Sequence, residues 1–208
     1  MTIHQSGLAR DVPFDTAKLD RLMEEAGIDV LLATSKHNTQ YLLGGYRFIF
    51  FSAMDAIGHS RYLPVVAYEK GRPEHSIFIG NRMEGGEHEN HPFWTPSVQA
   101  ATWTSHEAAR LAVEHVRKLG LHNARIGFEP AFLPVDAYRI IVDGLPDATM
   151  VGATGMMERM RAVKTLGELK KLRHASEMIT DSMQATVAAA REGSTKTEII
   201  ERLRQEET

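Results

Sequence analysis

The sequence predicts an α/β protein in which a mixed sheet is flanked by helices, and three observations support this fold class. A capped amphipathic helix leads directly into residues 28–33, a short and nearly continuous apolar run of the kind found in strands buried on both faces. Further short apolar runs follow, and segments of helical periodicity separate them. The composition, 43% hydrophobic and 25% charged, is that of an ordinary globular protein. Alternation of this kind favours a mixed or mostly parallel sheet between helices.

The first helix is expected over residues 16–26, because Asp15 can cap it and Gly27 suits its C-terminus. Phe14 can form a hydrophobic staple with Leu19. Beyond the run at 28–33, strands are predicted where apolar runs are bounded by turn residues, at 63–68, 76–79, 125–128 and 149–152. Two helices are predicted between these strands, at 105–119 and from Pro134 to about residue 143.

The pattern changes after Gly155. A capping box of Thr165 and Glu168 opens a long amphipathic helix that is expected to stop at Gly193. Its apolar stripe comprises Leu169, Leu172, Ile179, Met183, Val187 and Ala190. A second capping box, Thr195 with Glu198, starts another helix with no later element to bury it, which suggests a missing continuation. We therefore expect two domains, residues 1–155 and 156–208.

Several functional classes are disfavoured by composition. The chain has 208 residues, a formal net charge of -3 and no cysteine, which excludes disulfides, thiolate metal sites and a cysteine nucleophile. The charge gives no sign of nucleic-acid binding. The most apolar run, residues 48–51, is far below the roughly 20 residues that a membrane span needs. A cytoplasmic protein without membrane or nucleic-acid partners is expected.

One stretch, "EGGEHENHPFW", is dense in residues that bind metals. Its candidate ligands are Glu84, Glu87, His88, Glu89 and His91. Its two glycines and its proline predict a loop, so no rigid helix face would hold the donors, and a solvated loop is the favoured interpretation over a metal site. The chain also lacks a Gly-x-Ser-x-Gly elbow, a Walker loop and a Gly-x-Gly-x-x-Gly turn.

Two arginines are candidates for substrate binding. Arg47 and Arg61 flank residues 48–60, a segment rich in Phe, Met and small residues. An arginine in such a setting can bind a carboxylate through two parallel hydrogen bonds. The alternative for each arginine is a surface ion pair or a side chain whose stem packs on apolar surface.

Two segments resemble the creatinase and Xaa-Pro peptidase family. The stretch "FDTAKLDRLMEEAGIDVLLATSKHNTQYLLGGY" is similar to the family's opening helix and strand with their Ser/Thr-x-x-Asn-x-x-Tyr-Leu-x-Gly phrase, here carried by Ser35, His37, Asn38, Tyr41, Leu42 and Gly44. The segment from Met156 onward resembles the phrase that begins the family's catalytic domain, matched here by Arg161, Lys164, Glu168, Arg173 and Ala175.

The resemblance implies an N-terminal domain of ribonuclease-H-like topology followed by the first helices of a truncated pita-bread domain. In that family the pita-bread domain holds two divalent metal ions, and its ligands come after the region covered here. The chain is therefore expected to contain no catalytic residue, no metal ligand and no cofactor, whereas a longer parent would hold two Mn, Zn or Co ions. The parent would be a homodimer in which this domain lies over the partner's active site. Within the resemblance, Arg61 is the first candidate for contacting substrate, followed by His59 and Arg47.

The preferred hypothesis is the substrate-rim and dimerisation part of a metal-dependent hydrolase that acts on a small peptide or an amidino compound. Alone, this part would be inactive. The alternative is a stand-alone binding or dimerisation module without catalysis, in which the helices after Thr165 bury their stripe in a homodimer. A third hypothesis is a small metal-binding protein that uses the loop with His88 and His91.

Overall fold

The computed structural model describes residues 11–48 and 62–207. The chain divides into two compact units between Met160 and Arg161. The first unit contains the sheet, and the second contains two helices. The domain boundary expected after residue 155 remains a prediction.

The first unit is built on one six-stranded mixed sheet. In chain order its strands are β1 (Val30–Ala33), β2 (Val65–Glu69), β3 (Arg72–Asn81), β4 (Ser97–Thr102), β5 (Arg125–Phe128) and β6 (Thr149–Gly152). Their order across the sheet is β4-β3-β2-β1-β5-β6. β2 pairs antiparallel with both neighbours and every other pairing is parallel, so the other five strands point in one direction.

Helices cover both faces of the sheet. They are α1 (Thr16–Ala26), α2 (Lys36–Leu42), α3 (Gly85–Asn90), α4 (Ser105–Lys118), α5 (Val135–Gly144) and α6 (Thr154–Ala162). One core contains Leu19 and Met23 of α1 together with Met156 and Met157 of α6. The other core contains the buried face of α4 and Ile141 of α5. Each face of the sheet is therefore sealed by its own apolar layer.

The second unit consists of α7 (Leu166–Ala189) and α8 (Lys196–Glu206). Both helices begin with the predicted capping boxes. The predicted stripe is not covered in the described part of the chain: Leu169, Leu172, Ile179 and Met183 are about half exposed and Val187 is 74% exposed. α7 ends at Ala189, before the predicted stop at Gly193. Ala190, the last residue of the predicted stripe, therefore follows the helix.

The predicted fold class is confirmed, and several local predictions hold in detail. α1, β5 and β6 have the expected bounds, Asp15 accepts a hydrogen bond from the backbone of Lys18, and Gly27 is left-handed. β4 and α2 were not predicted, because their exposed or mixed residues lack a clear apolar period. No helix in the described residues is both long and apolar enough to cross a membrane.

The loop predicted for "EGGEHENHPFW" is wrong for residues 84–90, whereas residues 91–94 are irregular as expected. A short 3-10 helix, Arg82–Glu84, continues into α3. The helical start is stabilised because the side chain of Asn81 accepts a hydrogen bond from the backbone of Met83, while the side chain of Glu84 accepts one from the backbone of Asn81. Tertiary burial of Glu84 thus overrides the turn preference of the two glycines.

Candidate functional site

The candidate site lies where the five co-directional strands end. In open α/β sheets, ligands bind outside the carboxyl ends of the strands. At this edge the chain leaves β1 at Thr34, β3 at Arg82 and β5 at Glu129, and it enters the antiparallel strand β2 from Tyr62. Two fully buried carboxylates, Glu84 and Glu129, lie here.

Glu129 binds the start of α2. One of its oxygens accepts hydrogen bonds from the backbone of Thr34 (2.7 Å) and Ser35 (2.9 Å). The other accepts from Asn38 Nδ2 at 2.5 Å. Ser35 caps the same helix by accepting from the backbone of Asn38. The carboxylate therefore satisfies backbone donors at the helix start, where negative charge is favourable. The Ser-x-x-Asn part of the family phrase is thus a structural connection between β1, β5 and α2.

Glu84 binds two tyrosines that are distant in sequence. Tyr46 donates a hydrogen bond to Oε1 (2.9 Å) and Tyr62 donates one to Oε2 (2.9 Å), which also accepts from the backbone of Asn81 (2.5 Å). Gly80 makes room for this carboxylate, since a Cβ at that position would lie 2.5 Å from Oε2. Buried charges persist in proteins when they are hydrogen-bonded in this way.

Burial dominates the electrostatics of this cluster. It raises the pKa of Glu84 above its ordinary value of 4.5, although the three donated hydrogen bonds act in the opposite direction. Burial and the neighbouring Glu84 also raise the pKa of Tyr46 and of Tyr62. Both phenols consequently keep their protons and remain hydrogen-bond donors.

The two tyrosines bracket the segment that carries the predicted substrate-binding residues. Arg47 directly follows Tyr46 and is exposed. Arg61 directly precedes Tyr62 in sequence, but Arg61 and His59 lie outside the described residues. Tyr46 and Tyr62, which lie on either side of the segment 47–61 in sequence, are therefore both held by the carboxylate of Glu84.

The histidines of α3 and its C-terminal end have protein partners. His88 stacks on Phe93, with ring centroids 5.5 Å apart, and its Nδ1 accepts from the backbone of Phe93. His91 Nδ1 lies 3.2 Å from Glu87 Oε1. Across residues 11–48 and 62–207, His, Asp and Glu side chains form no group of three or more that could hold a metal ion.

Sequence reasoning missed both buried carboxylates. Glu84 was assigned to a solvated loop, and Glu129 was not singled out. A signal for Glu129 exists, because it directly follows the apolar strand "RIGF" and a carboxylate there can reach the end of a neighbouring parallel strand. The Asn81-x-x-Glu84 spacing is a local capping-box signal, but nothing local marks the contacts of Glu84 with Tyr46 and Tyr62, which lie 38 and 22 residues away.

The sequence model of the creatinase/prolidase N-terminal domain matches residues 16–163. This match covers the whole sheet and the edge that carries Glu84 and Glu129. The chain belongs to this family. The edge of the sheet that carries the two buried carboxylates is therefore part of the creatinase/prolidase N-terminal domain.

Solved structures have the same fold. An Xaa-Pro dipeptidase from Bacillus anthracis is 22% identical, with a TM-score of 0.69, and the match covers 92% of this chain and 47% of that one. An X-Pro aminopeptidase from Thermotoga maritima is 20% identical, with a TM-score of 0.66, over 93% of this chain and 48% of that one. The N-terminal domain of the cytoplasmic peptidase PepQ from Mycobacterium tuberculosis is 15% identical, with a TM-score of 0.51, over 70% of this chain and 96% of that one.

The chain thus spans about half the length of the first two of these structures. The match to the N-terminal domain of PepQ instead covers 96% of that protein. A search among curated protein sequences found no match.

Proposed function

We propose that this chain is the substrate-rim and dimerisation part of a metal-dependent hydrolase of the Xaa-Pro peptidase or creatinase kind. The observation that carries the proposal is the match of more than nine-tenths of the chain to about half of an Xaa-Pro dipeptidase and of an X-Pro aminopeptidase. The substrate would be a small peptide or an amidino compound, and the active protein would be a cytoplasmic homodimer.

The metal chemistry of such a hydrolase does not fit the described residues of this chain, which bring together no set of metal ligands. In the proposal, the Mn, Zn or Co ions belong to the remainder of the longer protein. The role of this chain is to position side chains over the substrate. The 208 residues by themselves are therefore expected to hydrolyse nothing.

The position of the tyrosine pair supports the choice of rim residues. Tyr46 and Tyr62 are held on Glu84, and Arg47 and Arg61 are their immediate neighbours in sequence. In the proposal Arg61 is the first residue to contact a substrate carboxylate, followed by His59 and Arg47. A guanidinium group suits this role because it offers two parallel donors to a carboxylate.

The coding frame beyond codon 208 provides the first test. Continuation into a segment with Asp, Asp, His, Glu and Glu at metal-site spacing supports the hydrolase. The longer protein should then cleave an Xaa-Pro dipeptide in the presence of Mn²⁺ and lose this activity to a chelator, whereas residues 1–208 alone should not cleave it. A stop codon after 208 would favour the alternative, a stand-alone binding or dimerisation module, for which the exposed stripe on α7 is the specific observation.

The substrate-contact role is tested by Arg61→Ala in the longer protein. We expect kcat/KM for the dipeptide to fall about 10-fold or more, because a charge-assisted hydrogen bond contributes roughly 1.5–3 kcal/mol. Metal content should not change. Arg117→Ala, in the last turn of α4, serves as the matched control. Equal kinetics for the two variants would remove Arg61 from the site.

A further inference from the structure

A cleft that shares Tyr46 with the tyrosine pair opens beside α2 and α3. Its volume is about 260 Å³, and three chain segments form it: the approach to α1, the turn after α2, and the end of α3 with the coil that follows. This volume is near the lower end of the range for small-molecule pockets, roughly 300–1,000 Å³. The cleft can therefore accept a compact ligand.

The aromatic wall of the cleft is fixed in place before any ligand arrives. Tyr46 packs edge-to-face on Phe93, with ring centroids 4.7 Å apart. Trp94 packs edge-to-face on Phe14 and donates its indole hydrogen bond to the carbonyl oxygen of Leu42 at 2.6 Å. Because these rings are held by packing and hydrogen bonds, a ligand need not order them.

The turn after α2 brings the walls together through Gly44. This residue has φ +74°, and a Cβ on it would lie 3.0 Å from Cβ of Pro13. Glycine is therefore required at this position both by the backbone conformation and by the close approach of the facing segment. The close approach of Gly44 to Pro13 therefore fixes the narrow width of the cleft.

The charged groups of the cleft are predominantly negative. Asp11 and Glu87 line it, and neither lysine nor arginine occurs among its described lining residues. Glu87 also lies next to His91, at 3.2 Å. Behind the wall, the Tyr46 hydroxyl donates to the buried Glu84 carboxylate, which makes the phenol ring richer in electrons. Electron-rich rings and carboxylates both attract cations.

From this combination we propose that the cleft binds a small organic cation, an ammonium or guanidinium group carried on an apolar stem. The cationic head lies between Asp11 and Glu87, and the stem lies against Tyr46 and the neighbouring aromatic residues. A metal cation is disfavoured as the ligand because the described residues of the cleft form no group of three or more His, Asp or Glu side chains that could hold a metal ion, whereas its aromatic rings suit an organic stem. The site uses neither Arg47 nor Arg61, although it shares Tyr46 with the tyrosine pair beside the proposed rim residues.

Titration of the full 208-residue chain with benzylammonium, followed by ¹H–¹⁵N NMR, tests this assignment. Benzyl alcohol is the matched neutral ligand. We expect benzylammonium to shift the backbone signal of Gly44 and the indole signal of Trp94 with a millimolar dissociation constant, and benzyl alcohol to bind at least about 10-fold more weakly. The indole signal of Trp103, which does not line the cleft, should stay in place and is identified by its loss in Trp103→Phe.

Charge variants locate the cationic head. Asp11→Asn and Glu87→Gln should each weaken benzylammonium about two- to fourfold, since each carboxylate is exposed, and the double variant about 10-fold. Glu89→Gln is the matched control, because Glu89 is an exposed carboxylate on the same helix α3 but outside the cleft. All four variants alter exposed side chains, and an unchanged urea unfolding curve confirms that each is folded.

Three results would overturn the proposal. The first is an absence of shifts at Gly44 and Trp94 up to about 50 mM benzylammonium, far above the millimolar range expected. The second is equal binding of the alcohol and the ammonium ion. The third is equal weakening by Glu89→Gln and Glu87→Gln, which would show general electrostatic attraction by the surface instead of recognition in the cleft.

Discussion

Glu84 shows how one buried side chain organises the candidate site. Its carboxylate accepts from Tyr46, Tyr62 and the backbone of Asn81, and it has no contact with solvent. Glu84→Ala would remove the acceptor of all three hydrogen bonds at a fully buried position. We expect this change to lower the free energy of unfolding by about 3 kcal/mol, measured by urea denaturation.

Glu84→Gln provides the matched comparison. Glutamine can accept from two of the donors and donate to the remaining hydroxyl, so we expect a loss within about 1 kcal/mol at pH 7. Burial raises the pKa of Glu84 above 4.5, so the folded chain holds this proton more tightly than the unfolded chain. Wild type should therefore gain stability relative to Glu84→Gln as the pH falls toward 4.5. An Ala variant as stable as the Gln variant would show that the hydrogen bonds contribute little.

At the scale of elements, an ion pair connects the starts of two parallel strands. Asp29, directly before β1, accepts hydrogen bonds from the backbone, Nε and Nη2 of Arg125 at the start of β5, at 2.9–3.0 Å. This arrangement lowers the pKa of Asp29 from 3.8 to about 2. The folded state thus favours the ionised carboxylate, and the register of β1 on β5 is reinforced at its open end.

Asp29→Asn should lower the free energy of unfolding by about 1 kcal/mol at pH 7. The expected loss is small because solvent screens the ion pair of a carboxylate that is one-third exposed. Since the folded pKa is lowered, this stabilisation is complete above about pH 4 and is lost as the pH falls toward 2. Urea titrations at pH 7 and at pH 2.5 measure it. Asp147→Asn, which alters an exposed aspartate in the turn before β6, is the control and should change stability little at either pH. A loss that is the same at both pH values would contradict the ionic account.

At the scale of the whole molecule, the exposed stripe on α7 is the feature that most affects behaviour in solution. Five large apolar residues about half exposed or more lie along one helix face. Contiguous apolar surface of this kind favours association. We therefore expect the 208-residue chain to self-associate reversibly, with a sedimentation coefficient that rises with concentration.

The double change Leu172→Gln with Ile179→Gln should weaken that association about 10-fold or more, because two side chains would no longer bury apolar surface. The unfolding midpoint should stay the same, since both residues are already exposed. Lys171→Gln with Glu177→Gln alters two exposed residues of α7 without changing net charge and serves as the control. A wild-type chain that remains monomeric at every concentration would contradict this role for the stripe.

The sequence by itself determined the features that depend on neighbours along the chain. Capping residues and short apolar runs located α1, β5, β6 and the starts of the last two helices, because caps and periodicity are local interactions. They also indicated the alternation of strands and helices that makes the fold class predictable, and two quoted phrases were sufficient to suggest the family.

Only the tertiary structure decided which polar side chains are buried and what they bind. Glu84 and Glu129 are ordinary glutamates in the sequence, and they become buried anchors because β1, β3 and β5 end at the same edge of the sheet. The same convergence turned an expected loop into helix and brought Tyr46 and Tyr62 to one carboxylate. The physical reason is that burial and long-range hydrogen bonds depend on the packing of distant segments, which no local pattern encodes.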